Sequence, residues 1–182
     1  RDVKPENILL DGDSGRAMLM DFGVARALEG DGRMTGTGMI LGSPRYMSPE
    51  QASGEATLDG RSDLYALALV GYEMFTGKPV VEAANIAGML VKHLTETPAP
   101  LSQAAREVPE GVAVAIDRAL AKDREARWAS GREMAEAIGA GWTPSGSFAT
   151  GSARTLTGVA KGAAARSATR RQRLIVGAIA AV

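Results

Sequence analysis

The stretch Arg1-Asp2-Val3-Lys4-Pro5-Glu6-Asn7, followed fourteen positions after the asparagine by Asp21-Phe22-Gly23, decides how the chain is read. It places a carboxylate, a compact cation, an amide and a second carboxylate within one short segment. Hard oxygen donors of this kind suit a divalent cation beside phosphate, where catalysis rests on positioning and charge neutralisation rather than on a strong nucleophile. Each half taken alone is weak, because Asp and Asn readily form side-chain turns in loops and Asp-Phe-Gly also suits a turn at a strand end. Their order and separation carry the specificity. Between them, Ile8-Leu9-Leu10, the turn Asp11-Gly12-Asp13-Ser14-Gly15, and Ala17-Met18-Leu19-Met20 predict a hairpin with Asn7 at one end and Asp21 at the other.

Together these motifs resemble the catalytic loop and magnesium loop of a eukaryotic-type protein kinase. The resemblance implies that Asp2 accepts or orients the proton of a substrate hydroxyl. Asn7 and Asp21 would hold magnesium or manganese against the phosphates of ATP, and Lys4 would sit near the transferred phosphate. A lysine two residues after the aspartate implies serine and threonine acceptors. A second block, Gly42-Ser43-Pro44-Arg45-Tyr46-Met47-Ser48-Pro49-Glu50, resembles the substrate-docking loop that closes a kinase activation segment, with Ser-Pro-Glu where many relatives have Ala-Pro-Glu. By the same resemblance Ser43 stands where relatives place a threonine bonded to the catalytic aspartate and lysine. Arg1, directly before Asp2, implies control by phosphorylation of the intervening glycine-rich segment, with Thr35 and Thr37 as the acceptors.

Arg61 to Pro79 predicts a helix apolar on nearly every side, and hence buried through the middle of a lobe. Ser62 reads as its N-cap, Gly77 as its C-terminal stop, and Pro79 bars continuation. In the family such a helix is the scaffold of the large lobe, and the resemblance gives Asp63 a supporting bond to the catalytic-loop backbone. An acidic residue merely favouring a helix N-terminus is the plainer alternative. Helical patterning continues over Ala83 to Leu94 and Val108 to Ala121, separated by breakers at Pro98 and Pro100. Lys122-Asp123-Arg124-Glu125-Ala126-Arg127-Trp128 resembles the segment whose arginine pairs with the glutamate of the Pro-Glu motif, here Arg127 with Glu50. Trp128 replaces the usual proline, which makes the local turn less secure. Ser130 to Glu133 fits a capping box before a last helix ending near Ile138. His93, the sole histidine, reads as structural.

A chain of 182 residues that is 45% hydrophobic but only 4% aromatic can bury one core, expected to be aliphatic. Without cysteine it forms no disulfide or zinc-thiolate site. Net charge is zero, yet residues 1–136 carry 15 basic against 21 acidic side chains, while everything beyond is basic: Arg154, Lys161, Arg166, Arg170, Arg171 and Arg173. The basic residues are sparse and lack interleaved aromatics, so no nucleic-acid partner is expected.

The resemblance implies a mainly α kinase C-terminal lobe with a small β-hairpin near its start over 1–140, and composition leads us to expect a flexible basic linker over 141–173 before an apolar run from 174 to 182. That run follows Arg170, Arg171 and Arg173 directly, the charge pattern of a spanning helix entered from the cytoplasm. Its nine residues are short of the roughly 20 a span needs, which suggests the start of a transmembrane helix. The resemblance as a whole is to a bacterial membrane-anchored serine/threonine kinase. Such a protein would be single-pass, with its lobe facing the cytoplasm and protein substrates bearing Ser or Thr acceptors, and a lobe dimer would serve autophosphorylation. The glycine-rich loop and strand lysine of a whole kinase are missing from these residues, so the piece alone is expected to be nearly inert. A membrane-tethered pseudokinase or docking module is the competing class. A small-molecule phosphotransferase shares the Asp and Asn logic but does not need the docking loop.

Overall fold

A computed structural model of the protein describes residues 2–11, 13, 16–20 and 43–141. The expectations for Arg1, Asp21, Thr35, Thr37, the basic linker and the run from Leu174 lie outside the described residues. Among the described residues no helix is long and apolar enough to cross a membrane.

A 3₁₀ turn, Pro5–Asn7, leads into β1 (Ile8–Leu10), which pairs antiparallel with β2 (Ala17–Leu19) in the register Ile8 to Leu19 and Leu10 to Ala17. One further bond, from the Met20 amide to the Asn7 carbonyl at 2.7 Å, extends the ladder past β2. Side chains alternate across a strand pair. Ile8, Leu19 and Ala17 face the core, while Leu9 and Met18, opposite each other, are 45% and 42% exposed.

The rest is helical: α1 (Pro49–Ala52), α2 (Gly60–Thr76), α3 (Ile86–Thr95), α4 (Leu101–Ala104), α5 (Glu110–Ala119) and α6 (Gly131–Gly141). Helix α2 runs through the middle and is buried continuously from Leu64 to Tyr72. Helix α5 packs against both α2 and α6, and α1 packs against α3. Truncating one fully buried α2 side chain, as in Leu69→Ala, would remove about 2–5 kcal/mol of stability.

The ends of α2 show where local reading succeeds and fails. Gly77 adopts the left-handed conformation, φ 71°, and its amide reaches the Glu73 carbonyl at 2.7 Å, so the helix stops where glycine alone is unstrained. At the other end the N-cap is Asp59, whose carboxylate accepts from the Arg61 amide at 2.8 Å, and not Ser62. Ser62 lies inside the first turn and is buried, with its hydroxyl turned to Glu50 instead.

Other boundaries shift for similar reasons. Helix α3 begins at Ile86, not Ala83, because the Asn85 side chain caps it by accepting from the Gly88 amide at 2.8 Å. Helix α5 begins after Pro109. The proline-rich connection also contains α4, which patterning did not show, and its first amide, on Leu101, is taken by the Asp117 carboxylate at 3.0 Å. At α6 the Glu133 amide does donate to Ser130 Oγ. The Glu133 carboxylate accepts from Ala129, one residue earlier than the expected box, and the helix runs on to Gly141.

The core is mostly aliphatic, as composition implies, yet all three tyrosines of the chain are in it. Each keeps a polar partner: Tyr46 on Glu73, Tyr65 on Lys122 and Tyr72 on the Ala99 carbonyl.

Candidate active site

Lys4 is in extended backbone, φ −158° and ψ 162°. Alternation sends Val3 into the core, 3% exposed, and leaves Asp2 and Lys4 on the opposite side, where Lys4 Nζ meets Asp2 Oδ2 at 2.5 Å. Pro5 then starts the 3₁₀ turn, with no amide to waste at its first position. The turn carries Asn7 back over Asp2, and Asn7 Nδ2 donates to the Asp2 carbonyl at 2.7 Å and to Asp2 Oδ2 at 3.2 Å. With its amide nitrogen engaged on Asp2, Asn7 presents the acceptor Oδ1 as the atom able to meet a cation. Asp2, Lys4 and Asn7 are thus one cluster. Asp21 follows Met20, whose amide is bonded to the Asn7 carbonyl, but Asp21 itself is outside the described residues.

The segment expected to dock substrate, described from Ser43 to Glu50, is held separately. A 3₁₀ turn at Pro44–Tyr46 presents Tyr46, whose hydroxyl donates to Glu73 Oε2 on α2 at 2.7 Å, and burial followed by the Glu73 carboxylate pushes that phenol well up from its usual range. The Pro44 carbonyl accepts from His93 Nε2 on α3 at 2.8 Å. Ser48 caps α1 through a complete capping box: its hydroxyl accepts from the Gln51 amide, and the Gln51 side chain accepts from the Ser48 amide at 2.9 Å. The Ser-Pro-Glu-Gln sequence at 48–51 carries the local signal for that box. Ser43 is the residue before the 3₁₀ turn, and among the described residues Lys4 and Asn7 both meet the Asp2 side chain at Oδ2. Asp63 sits half-buried in the first turn of α2.

Glu50 closes the loop. Arg127 meets it with two parallel bonds of 2.8 Å, and Ser62 adds a third of 2.5 Å to Oε1. Burial alone would raise the Glu50 carboxyl, but the bonds from Arg127 and Ser62 outweigh it and hold the group at about 2. Arg127 is itself buried, and its remaining donors go to the carbonyls of Ala121, Arg61 and Lys122. Trp128 steadies the segment in place of proline: its indole N–H donates to the Ala115 carbonyl at 2.9 Å, and Arg118 stacks 3.9 Å above its ring.

Two residues here were not singled out by sequence. The Tyr65 ring lies 4.8 Å from the Arg127 guanidinium, and its hydroxyl accepts from Lys122 Nζ at 3.0 Å. Lys122 also donates to the His93 carbonyl at 2.8 Å, and burial followed by the Arg127 charge lowers its ammonium below the usual range. Lys122 opens the segment that carries Arg127, which is a signal in the sequence, whereas Tyr65 is 57 positions from Lys122 on α2 and has none.

The protein kinase domain family matches residues 1–142. The chain is 39% identical over 135 residues to serine/threonine-protein kinase PknB of Mycolicibacterium smegmatis, covering 74% of this chain and 21% of that protein. It is 40% identical over 133 residues to serine/threonine-protein kinase Pkn1 of Myxococcus xanthus, covering 71% and 19%. PknB of Mycobacterium tuberculosis is 37% identical over 135 residues, covering 74% and 21%. The chain therefore spans about a fifth of the length of the curated relatives it matches.

Proposed function

The chain belongs to the protein kinase family, among bacterial serine/threonine kinases of the eukaryotic type, and from that premise we propose that the protein carrying it moves the terminal phosphate of ATP onto serine and threonine hydroxyls of protein substrates. The supporting observation is the Asp2–Lys4–Asn7 cluster, in which an aspartate is braced by a cation and an amide on an anchored extended segment. The acceptor oxygen would attack phosphorus in line as ADP departs. Asp2 would orient the hydroxyl and take its proton, and Lys4 would stabilise the charge on the transferred phosphoryl group. Asn7 Oδ1, with Asp21, would hold magnesium or manganese, and hard oxygen donors fit such an ion. When bound, that ion neutralises phosphate charge. The exposed Leu9, Met18 and Met20, on the hairpin that carries Asn7, offer an apolar surface suited to a flat base.

The docking loop would receive the segment around the acceptor, which a small-molecule phosphotransferase would not need. Thr35 and Thr37 would be the regulatory phosphate acceptors, and a second kinase lobe would supply the phosphate. The basic 141–173 segment would be a juxtamembrane linker. The apolar run from Leu174 would open a single membrane-spanning helix, which would hold the lobe at the cytoplasmic face for signalling.

The deciding experiment compares full-length protein with its Asp2→Asn variant for transfer of labelled phosphate to a generic protein substrate. Transfer should disappear while ATP binding persists. Wild-type transfer by the variant would remove Asp2 from its role, and transfer by neither would favour a pseudokinase.

A further inference from the structure

His93 was expected to be merely structural, but its environment is unusual for that. It is fully buried on α3, and its Nε2 contacts the Pro44 carbonyl at 2.8 Å. A carbonyl only accepts, so Nε2 must carry the proton, and in the neutral ring Nδ1 is then a bare acceptor. Among the described residues that buried Nδ1 has no hydrogen-bond partner. Packing alone would not require a buried unpaired acceptor, since a phenylalanine of similar shape would carry none. The ring instead places one donor on the first residue of the docking-loop turn.

Its backbone is held as deliberately. The His93 carbonyl lies in the last turn of α3, where carbonyls lack helical partners, and Lys122 Nζ donates to it at 2.8 Å. Lys122 also donates to Tyr65, and the Tyr65 ring lies under Arg127, which is bonded to Glu50. One partly buried chain of hydrogen bonds and a cation–π contact therefore runs from Pro44, near the start of the docking loop, to Glu50 at its end. It passes through His93, Lys122, Tyr65 and Arg127, residues drawn from three separate parts of the fold.

We propose that His93, set in place by Lys122, is a positioning residue that holds the Pro44–Tyr46 turn in the shape that receives a polypeptide substrate. This rests on the reading of the loop as a substrate-docking element. The Tyr46–Glu73 bond fixes the side-chain end of the turn, and His93 fixes its backbone. Substrate affinity should therefore depend on His93, and nucleotide affinity should not.

The test uses full-length protein with His93→Phe, His93→Gln and His93→Asn. The Gln amide nitrogen reaches the place of Nε2, whereas that of Asn reaches only the place of Nδ1. Loss of one hydrogen bond should raise KM for a peptide substrate about fivefold in His93→Phe, with KM for ATP unchanged. Amide exchange at Arg45, Tyr46 and Met47 should quicken in the same variant. Gln should restore both properties and Asn neither. Should the phenylalanine variant fail to fold, the Gln and Asn pair carries the comparison. Unchanged peptide KM and exchange in His93→Phe, or equal behaviour of Gln and Asn, would overturn the proposal. So would faster exchange spread evenly over α2, α5 and α6. Wild-type protein that transfers no phosphate would defeat the kinase reading instead, and the exchange data would still judge the latch.

Discussion

Arg127 and Glu50, 77 positions apart, form a fork of two 2.8 Å bonds, with the arginine side chain fully buried and the glutamate 4% exposed. A buried ion pair of this kind does not guarantee net stability, since both groups lose water, but breaking it from one side strands the other charge. Its geometry is what joins the segment ending at Glu50 to the helical core.

Arg127→Met should therefore destabilise the protein by about 3–5 kcal/mol, because Glu50 is left buried with Ser62 as its one remaining side-chain donor among the described residues. Glu50→Gln combined with Arg127→Met should recover a large part of that loss. Denaturant unfolding of the two variants checks both statements, and equal stability of the single and double variants would contradict them.

Acid should act through the same pair. Glu50 has a folded value near 2 against 4.5 when unconstrained, so its contribution is complete above about pH 4.5 and is lost as pH falls from there towards 2. The full contribution is about 3 kcal/mol. In Glu50→Gln this portion of the stability profile should flatten, as urea midpoints measured across that window would show.

Asn7→Ala removes both the oxygen proposed to meet the metal and the brace on Asp2. Phosphate transfer should fall about a hundredfold or more, with a higher magnesium concentration needed for half-maximal rate. A loss that excess magnesium reverses completely would mean that the brace on Asp2 does not matter.

Thr35 and Thr37 should be phosphorylated in active protein, and replacing both with alanine should lower activity. Mass spectrometry with kinetics of the double variant checks this. Ser43→Ala should be more damaging than either threonine change alone.

Full-length protein should fractionate with membranes, with a reporter before Arg1 active in the cytoplasm and one beyond the completed helix active outside. Recovery in the soluble fraction would remove the anchor, and a silent cytoplasmic reporter on membrane-bound protein would reverse the orientation.

Sequence by itself determined whatever depends on neighbours along the chain. The Asp2, Lys4 and Asn7 cluster follows from an extended stretch and a proline turn within six residues, the hairpin from strand and turn composition, and the end of α2 from Gly77. The Arg127–Glu50 pairing was legible only through family resemblance, because spacing carries no information across 77 positions. Tertiary structure alone decided that Asp59 caps α2 while Ser62 turns inward to Glu50, and that Lys122 and His93 lead from Tyr65 to Pro44. The reason is that helical periodicity marks which face is apolar. It cannot say which polar groups on that face will be shut away from water, and those groups must find partners wherever packing brings one within bonding distance.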